Sequence, residues 1–361
     1  MAEPVLQMGT TFRGWMAFDK NALRDGLRLE SFQPKKWEET DIDVRVTHCG
    51  VCASDLHTLR SGWGPTEFPC CAGHEVVGEV IRAGNAVERN LDVGDRIGIG
   101  PVVYVCGKST CRECSQNTPN YCPQRVPAYN GFLPDGSQTY GGFANYCRVS
   151  SAAAIRIPPT LSSTFAAPML CAGITTFAPL VEHGQGGKRV GVIGIGGLGH
   201  FAILFAKALK SEHIVAISRR ENKRNDALEL GADAYVATEE ELGWMEHYAS
   251  SLDVIICTVS SADMPLNKYL TLLRTGGHFC QVGMPEAPMP GLEIFGLVER
   301  KISIHFNDIG SIQETEKLLE FAARENIHPW IEERKMSDVN DVLKDMEAGK
   351  ARYRYVLVSE K

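Results

Sequence analysis

The stretch Val190-Gly-Val-Ile193-Gly194-Ile-Gly196-Gly197-Leu198-Gly199 decides the fold predicted for this chain. An apolar strand that enters a GxGxxG turn and then opens a helix is the context in which this motif binds a dinucleotide. The first glycine permits the tight turn, the second lets the backbone approach a pyrophosphate, and the third allows close helix–strand packing. This context favours a dinucleotide loop over a plain structural turn. The predicted cofactor-binding residues of the loop are Gly194, Gly196, Gly197, Leu198 and Gly199.

Strand and helix patterns alternate around this loop, from residue 161 to residue 303. The expected strands lie at 189–193, 213–217, 253–257 and 277–282, and the expected helices at 200–210, 223–230 and 265–274. Such alternation is typical of a doubly wound parallel sheet of the Rossmann type.

The flanking segments show a different pattern. Within residues 1–160, short β-branched or apolar runs at 44–47, 75–81, 96–103 and 142–149 are separated by turn signals. After residue 303 we expect a helix at 312–325 and a strand at 353–358, so that 304–361 returns to the first domain. The predicted fold class is therefore α/β, a Rossmann sheet plus a β-rich catalytic domain.

Composition excludes several classes of protein. The formal charge of −7 gives no basic face, so we expect no nucleic-acid partner. Residues 1–13 lack the pattern of a secretory signal, and the apolar stretch 192–209 is short and broken by glycines, so we expect no membrane span. Twelve cysteines in a chain of this size without an export signal indicate metal binding and a cytoplasmic location.

Cations at the end of the second predicted strand indicate which dinucleotide binds. An NAD site places Asp or Glu about twenty residues after the glycines, to accept hydrogen bonds from ribose hydroxyls. This chain instead has Ser218-Arg219-Arg220, followed by Lys223 and Arg224. A solvated charged face is the alternative, but cations at a helix start oppose the helix dipole. We therefore predict that Ser218, Arg219, Arg220 and Lys223 bind the 2′-phosphate of NADP(H).

Two groups of residues carry zinc-ligand chemistry. Cys52, His74, Glu75 and Cys171 offer the donor types of an open, catalytic zinc site. Cys106, Cys111, Cys114 and Cys122 place four thiols within seventeen residues, which suits a closed structural zinc. The prediction is therefore two Zn²⁺ ions per subunit.

Several segments together resemble the zinc-dependent medium-chain alcohol dehydrogenases. They are Cys49-Gly-Val-Cys52-Ala-Ser54-Asp55-Leu-His57, Gly73-His74-Glu75, Val93-Gly-Asp95-Arg96 and the cysteine-rich lobe. The NADP-type cations and the stretch from Asp135 to Asn145 resemble the cinnamyl alcohol dehydrogenase branch of that family. The resemblance implies a GroES-like fold for the catalytic domain and a homodimer formed through edge strands of the cofactor domains.

The same resemblance implies a role for each matching residue. Cys52, His74 and Cys171 would bind the catalytic zinc, with Glu75 beside it and Asp55 orienting His74. Ser54 would contact the substrate oxygen and pass a proton, by way of the cofactor ribose, to His57. Thr175 would pack by the nicotinamide.

Three departures from the family pattern leave alternatives open. The first cysteine interval of the lobe is four residues instead of two, which favours a looped lobe that keeps its zinc but leaves a weakened or empty site as the alternative. Pro127 stands where plant members carry an aromatic residue. Phe306-Asn307 replaces Gly-Ser, and Phe306 would narrow the pocket, shift the strand or pack in the core.

Two aromatic residues after the first zinc motif also have two possible roles. Trp63 and Phe68 would either line an aromatic pocket or pack in the core.

The favoured function is NADP(H)-dependent, zinc-polarised hydride transfer that interconverts aromatic or allylic primary alcohols and aldehydes, with the Ser54/His57 relay. The first alternative is a biosynthetic reductase of an activated C=C or iminium bond, which the presence of Ser54 and His57 disfavours. The second is a noncatalytic NADPH-binding redox sensor, which would have little need for the ligands and the relay. The expected partner is a small-molecule alcohol or aldehyde.

Overall fold

The computed structural model of this chain describes residues 11–360. The expectation of no export signal concerns residues 1–13, most of which lie outside the described residues. The strands, in chain order, are β1 (Arg13–Ala17), β2 (Arg28–Ser31), β3 (Asp41–Val51), β4 (Cys70–Cys71), β5 (Glu75–Ala83), β6 (Arg96–Ile99), β7 (Val102–Tyr104), β8 (Val126–Pro127), β9 (Tyr146–Ser150), β10 (Ala154–Arg156), β11 (Arg189–Ile193), β12 (His213–Ser218), β13 (Ala234–Ala237), β14 (Leu252–Cys257), β15 (Leu273–Gln281), β16 (Ser303–Phe306), β17 (Ile331–Lys335) and β18 (Arg354–Val358).

The α-helices in chain order are α1 (Ala22–Asp25), α2 (Ala53–Leu59), α3 (Arg112–Ser115), α4 (Ser163–Pro168), α5 (Ile174–His183), α6 (Gly199–Ala208), α7 (Arg224–Leu230), α8 (Trp244–Tyr248), α9 (Leu266–Thr271), α10 (Ile294–Glu299), α11 (Ile312–Arg324) and α12 (Val339–Glu347). A π-helical turn, Met169–Gly173, joins α4 to α5.

The cofactor domain is a six-stranded parallel sheet in the order β13-β12-β11-β14-β15-β16. This order is that of the doubly wound dinucleotide-binding fold, in which ligands bind at the carboxyl ends of the strands where the order reverses. Here the reversal lies between β11 and β14. The fold class predicted from the sequence is confirmed.

The catalytic domain is built on a mostly antiparallel sheet in the order β10-β6-β5-β3-β18-β17, in which β9 also pairs with β3 and β17 runs parallel to β18. The last strand, β18, pairs with β3 on one side and with β17 on the other. The end of the chain is therefore an internal strand of the first domain. The core of this domain packs around the apolar residues of β3 and β5.

Several predicted boundaries differ from the structure. The expected strand 96–103 is two strands in different sheets, because Gly100 and Pro101 separate β6 from β7 and proline cannot donate to a ladder. The expected helix 265–274 ends at Thr271, since Leu273 already pairs with Leu252 in the parallel sheet. The predicted boundary at 303/304 falls inside β16, so the chain leaves the cofactor sheet after Phe306.

One helical stretch among the described residues, Ser163–His183, is long and apolar enough to cross a membrane. However, 78% of its most apolar window is buried inside the fold, as is typical of a core helix. It packs between the two domains and carries Cys171 on its π-helical turn.

Candidate active site

Four buried side chains meet at the junction of the two domains. The ligand atoms of Cys52, His74, Glu75 and Cys171 all lie within 4.8 Å of one another. Cys52 is the residue before α2, His74 immediately precedes β5, Glu75 is the first residue of β5, and Cys171 lies on the π-helical turn. π-Helical turns occur often at functional sites. Two thiols, an imidazole and a carboxylate are donors that fit zinc, so the quartet predicted from the sequence is brought together.

Asp55 fixes the geometry of this quartet. Its Oδ2 accepts a hydrogen bond from the Cys52 backbone N–H at 2.8 Å, and its Oδ1 accepts one from Gly73 at 3.0 Å. His74 Nδ1 lies 3.3 Å from Asp55 and 3.1 Å from the hydroxyl of Tyr129. Because these groups hold Nδ1, Nε2 of His74 remains available to a metal.

The charges around the quartet favour a thiolate at Cys52. A hydrogen bond from the Cys171 thiol, and then the nearby His74 and Arg354, hold the pKa of Cys52 well below the ordinary value of a thiol. Burial raises the pKa of Glu75 to about 7, although Arg354 opposes that rise. Arg354 Nη2 donates to both carboxylate oxygens of Glu75.

A cavity of about 580 Å³ extends from the quartet to the glycine loop. Its walls come from both domains, and it is large enough for a small organic substrate beside part of a cofactor. Residues on its lining include Ser54, Trp63, Pro127, Thr175, Gly196 and Lys223. The sequence allowed either a pocket or a core position for Trp63 and Phe68. Trp63 lines the cavity, whereas Phe68 packs against the core of the catalytic domain.

Ser54 and His57 both line this cavity. Ser54 Oγ lies 3.5 Å from Cys52 Sγ, next to the quartet. His57 stacks on Trp63 with ring centroids 4.5 Å apart, and its Nδ1 is bonded to the carboxylate of Glu286. Arg60 also binds Glu286, at 2.7 Å, so this carboxylate links the cofactor domain to α2.

The glycine loop has the geometry that a dinucleotide requires. Gly194 has φ +88°, which favours glycine, and a Cβ on Gly199 would lie 1.9 Å from the carbonyl oxygen of Gly194. A Cβ on Gly196 would meet no atom within 4 Å, because this residue borders the cavity. The loop therefore leaves room for a pyrophosphate where the sequence motif places it.

The basic residues after β12 divide into two groups. Arg224 is tied to Glu221 and to the Tyr235 carbonyl, and Arg220 lies 3.6 Å from Glu239. Lys223 donates to the carbonyl of Ile195 in the glycine loop. Within residues 11–360 no ion pair occupies the exposed Arg219, which stands beside Ser218 at the strand end. Ser218, Arg219 and Lys223 are thus the better placed residues for a 2′-phosphate.

The cysteine-rich lobe accommodates its long first interval. Gly107 adopts φ +60°, and the Cys111 N–H donates to the backbone carbonyl of Lys108 at 3.0 Å, which loops out residues 107–110. The Cys106–Cys114 and Cys111–Cys122 sulfur distances are 3.7 and 3.9 Å. Tetrahedral Zn–S bonds of about 2.3 Å place sulfurs about 3.8 Å apart, so the four thiols fit one zinc.

The structure also identifies functional candidates that the sequence analysis missed. Arg354, Glu286 and Tyr129 contact the predicted site residues from distant parts of the chain. Of these three residues, only Arg354 could have been singled out from the sequence, because it is an arginine within the apolar run of the final strand.

Comparisons with known proteins agree with this geometry. Residues 38–159 match the family model "Alcohol dehydrogenase GroES-like domain", and residues 197–324 match "Zinc-binding dehydrogenase". The chain is 37% identical to "NADP-dependent alcohol dehydrogenase 6" of Saccharomyces cerevisiae over 91% of both chains. It is 38% identical to "Cinnamyl alcohol dehydrogenase 2" of Rauvolfia serpentina, over 95% of this chain and 94% of the relative.

A solved structure shows the same similarity in three dimensions. A cinnamyl alcohol dehydrogenase from Sorghum bicolor superposes with a TM-score of 0.91 at 35% identity, covering 97% of this chain and 98% of that one.

Proposed function

Because this chain belongs to the family of zinc-binding alcohol dehydrogenases, we propose that its cavity reduces aromatic or allylic aldehydes to primary alcohols with NADPH. The family, its zinc and its NADP cofactor support interconversion of alcohols and aldehydes by this chain. The observation that supports an aromatic substrate is the cavity itself, because Trp63 lines the same space as Cys52, His74 and Cys171.

Two groups would supply part of the chemistry when bound. Cys52, His74 and Cys171 would hold a zinc that supplies a Lewis acid, and the glycine loop would hold a dinucleotide that supplies the hydride. The chain supplies position and electrostatics. Cys52 is poised as a thiolate, Asp55 and Tyr129 orient His74, and Arg354 balances the charge of Glu75.

The protein groups also provide a route for the proton. Ser54 lies beside the quartet and would donate its hydroxyl proton to the substrate oxygen. His57 lines the same cavity and would restore that proton by way of the cofactor ribose. Imidazole exchanges protons near neutral pH, which suits this role. Glu286 and Arg60 would hold the ring in position from the outer side.

A homodimer is part of this proposal. The described cofactor sheet ends at β16, whose last residue is the exposed Phe306. The segment leading into that strand also exposes large apolar side chains, among them Phe295 and Val298. An open strand edge beside an apolar patch is a typical interface. Phe306 is 67% exposed, so it does not pack in the core of its own chain. Sedimentation should find a dimer that Val298→Asp weakens, and a monomeric wild type would contradict this part.

We also propose a cytoplasmic location. None of the twelve cysteines, all of which lie within residues 11–360, forms a disulfide, which suits a reducing compartment. Fractionation of cells that express an untagged chain should find it with cytosolic markers, and recovery from an organelle would contradict this.

The deciding experiment for the activity measures NADPH oxidation with a panel of aromatic, allylic and aliphatic aldehydes, with and without a zinc chelator. Cys52→Ala and His74→Ala should each lose turnover and one zinc per chain. Cys257→Ala, a buried cysteine outside both clusters, is the matched control and should keep both. The absence of turnover with every aldehyde would contradict the proposed function.

A further inference from the structure

Three histidines meet on the cofactor domain, away from the cavity described above. His183 is the last residue of α5, His278 lies on β15 and His305 on β16. One ring nitrogen from each lies within 4.8 Å of the other two. His278 Nδ1 and His305 Nε2 are 2.9 Å apart, and the ring of His183 lies 4.6 and 4.2 Å from the other two ring centroids.

The fold explains why these three residues converge. His305 pairs in register with Cys280, and His278 lies two positions before Cys280 on the same strand. Because side chains alternate along a strand, His278, Cys280 and His305 share one face of the sheet. Cys280 packs in the core that includes residues of α5, so this is the face that α5 covers. His183 ends the helix above it.

Among the described residues, the buried Nε2 of His183 is the polar atom of this group that calls for a partner. Nε2 of His183 is buried without a partner in the described structure, and its side chain is only 10% exposed. An unsatisfied buried polar atom is costly and calls for an explanation, such as an ion. The nearest carboxylate, that of Glu182, lies 3.6 Å from this nitrogen and is mostly exposed.

We propose that His183, His278 and His305 form a third metal site, which binds Zn²⁺ or Cu²⁺. Three imidazoles that leave a position open form a known coordination set for zinc, and imidazole also suits copper. Glu182 is within reach as a fourth ligand from the solvent side. His278 and His305 are half-buried, so an ion has a path of entry. An ion here links the end of α5 to the edge of the parallel sheet.

The first test uses the untagged wild-type protein with its two resident zincs. Titration with Zn²⁺ and separately with Cu²⁺, followed by desalting and metal analysis, should show one further ion per chain. In the Cu²⁺ arm, the electron paramagnetic resonance spectrum should show coupling to several nitrogens. Binding should also raise the melting temperature. A wild type that takes up no third ion from either metal at micromolar concentrations would overturn the proposal.

Variants then assign the third ion to these residues. His278→Asn and His305→Asn should each lose the third ion while retaining the two resident zincs and aldehyde reduction. His247→Asn is the matched control, because His247 is exposed on the same domain and should leave the third ion bound. Retention of that ion in both cluster variants would refute the site. If one cluster variant does not fold, the other variant and the wild-type titration still show whether the histidines bind the third ion.

Discussion

Arg354 donates to both carboxylate oxygens of Glu75, although the two residues are 279 positions apart in the chain. Both side chains are buried, at 2% and 0% exposed. The carboxylate beside the zinc ligands is therefore held by an arginine of the last strand. A buried ion pair of this kind is costly to break, because one charge then stays buried without a partner.

Arg354→Met should accordingly lower the free energy of unfolding by about 3–5 kcal/mol. Arg24→Met, which removes a surface arginine paired with Asp25, should leave the free energy of unfolding nearly unchanged, because solvent screens an exposed ion pair. The double variant Glu75→Gln/Arg354→Met should recover much of the loss, since no charge is left unpaired. Urea denaturation of the wild type and the three variants measures these free energies. An Arg354→Met protein as stable as Arg24→Met would contradict the prediction.

Glu286 should affect turnover by positioning His57. Hydrogen bonds, first from His57 and then from Arg60, hold the pKa of Glu286 below its usual value, so it is an anion at neutral pH. Glu286→Gln replaces this charged acceptor with a neutral amide, which holds the imidazole less strongly, so kcat should fall roughly 3–10-fold. Glu293→Gln, in an exposed part of the segment that follows, should leave kcat unchanged. A Glu286 variant that alters only the KM for aldehyde would contradict a role in positioning His57.

Arg219 should decide between the two dinucleotides. A charge-assisted hydrogen bond contributes about 1.5–3 kcal/mol, so Arg219→Ala should raise the KM for NADPH roughly 10–100-fold. The kcat/KM of Arg219→Ala with NADH should equal that of the wild type. Arg224→Ala removes a neighbouring cation already tied to Glu221, and should have little effect on either cofactor. Equal losses with NADPH and NADH would show that Arg219 does not contact the 2′-phosphate.

The lobe should hold its own zinc despite its unusual first interval. Metal analysis of the wild type, without added metal, should find two zincs per chain, and Cys106→Ser should retain one. Lys108→Ala, two residues away, should keep both, because its side chain is not a ligand. Thermal unfolding should occur at lower temperature in the cysteine variant, since zinc binding contributes to folding. A wild type with a single zinc would mean that the lobe is empty.

His200 should make stability depend on pH. Burial, and then the nearby Arg354, lower the pKa of this ring to about 3 from its ordinary 6.5. Below pH 6.5 the unfolded chain binds a proton that the folded chain excludes, so stability falls as pH decreases. Between pH 7.5 and 5.5 the wild type should lose about 1.4 kcal/mol more than His200→Asn. Urea denaturation at both pH values measures this. His328→Asn, at an exposed site, should behave as the wild type, and identical losses in all three would contradict the argument.

The local sequence pattern was sufficient to predict much of the secondary structure of the cofactor domain. Strand β11 was predicted at its observed bounds, because a short apolar run before a glycine turn leaves little choice. The ligand quartet was also found from the sequence, since zinc accepts few donor types and the neighbouring residues were distinctive. These features depend on side chains that lie close together in the sequence or have unusual chemistry.

The remaining features depend on contacts that local pattern does not encode. Glu286 is an unremarkable acid in a loop until folding brings it to His57, 229 positions away. Leu273 reads as the end of a helix, yet pairing with Leu252 places it in a strand. Whether Phe306 is buried or exposed could not be predicted without the order of the sheet, because only that order shows that β16 is the edge strand.

The position of β18 has a consequence for biosynthesis. This strand completes the central sheet of the catalytic domain between β3 and β17, and it carries the partner of Glu75. The ribosome makes all the predicted zinc ligands well before it makes Arg354. A nascent chain, or one cut short by a premature stop codon before this strand, therefore has the metal-binding residues but lacks the arginine that neutralises the buried acid beside them. Such a truncated product should be a target for proteolysis, even though every predicted ligand is present.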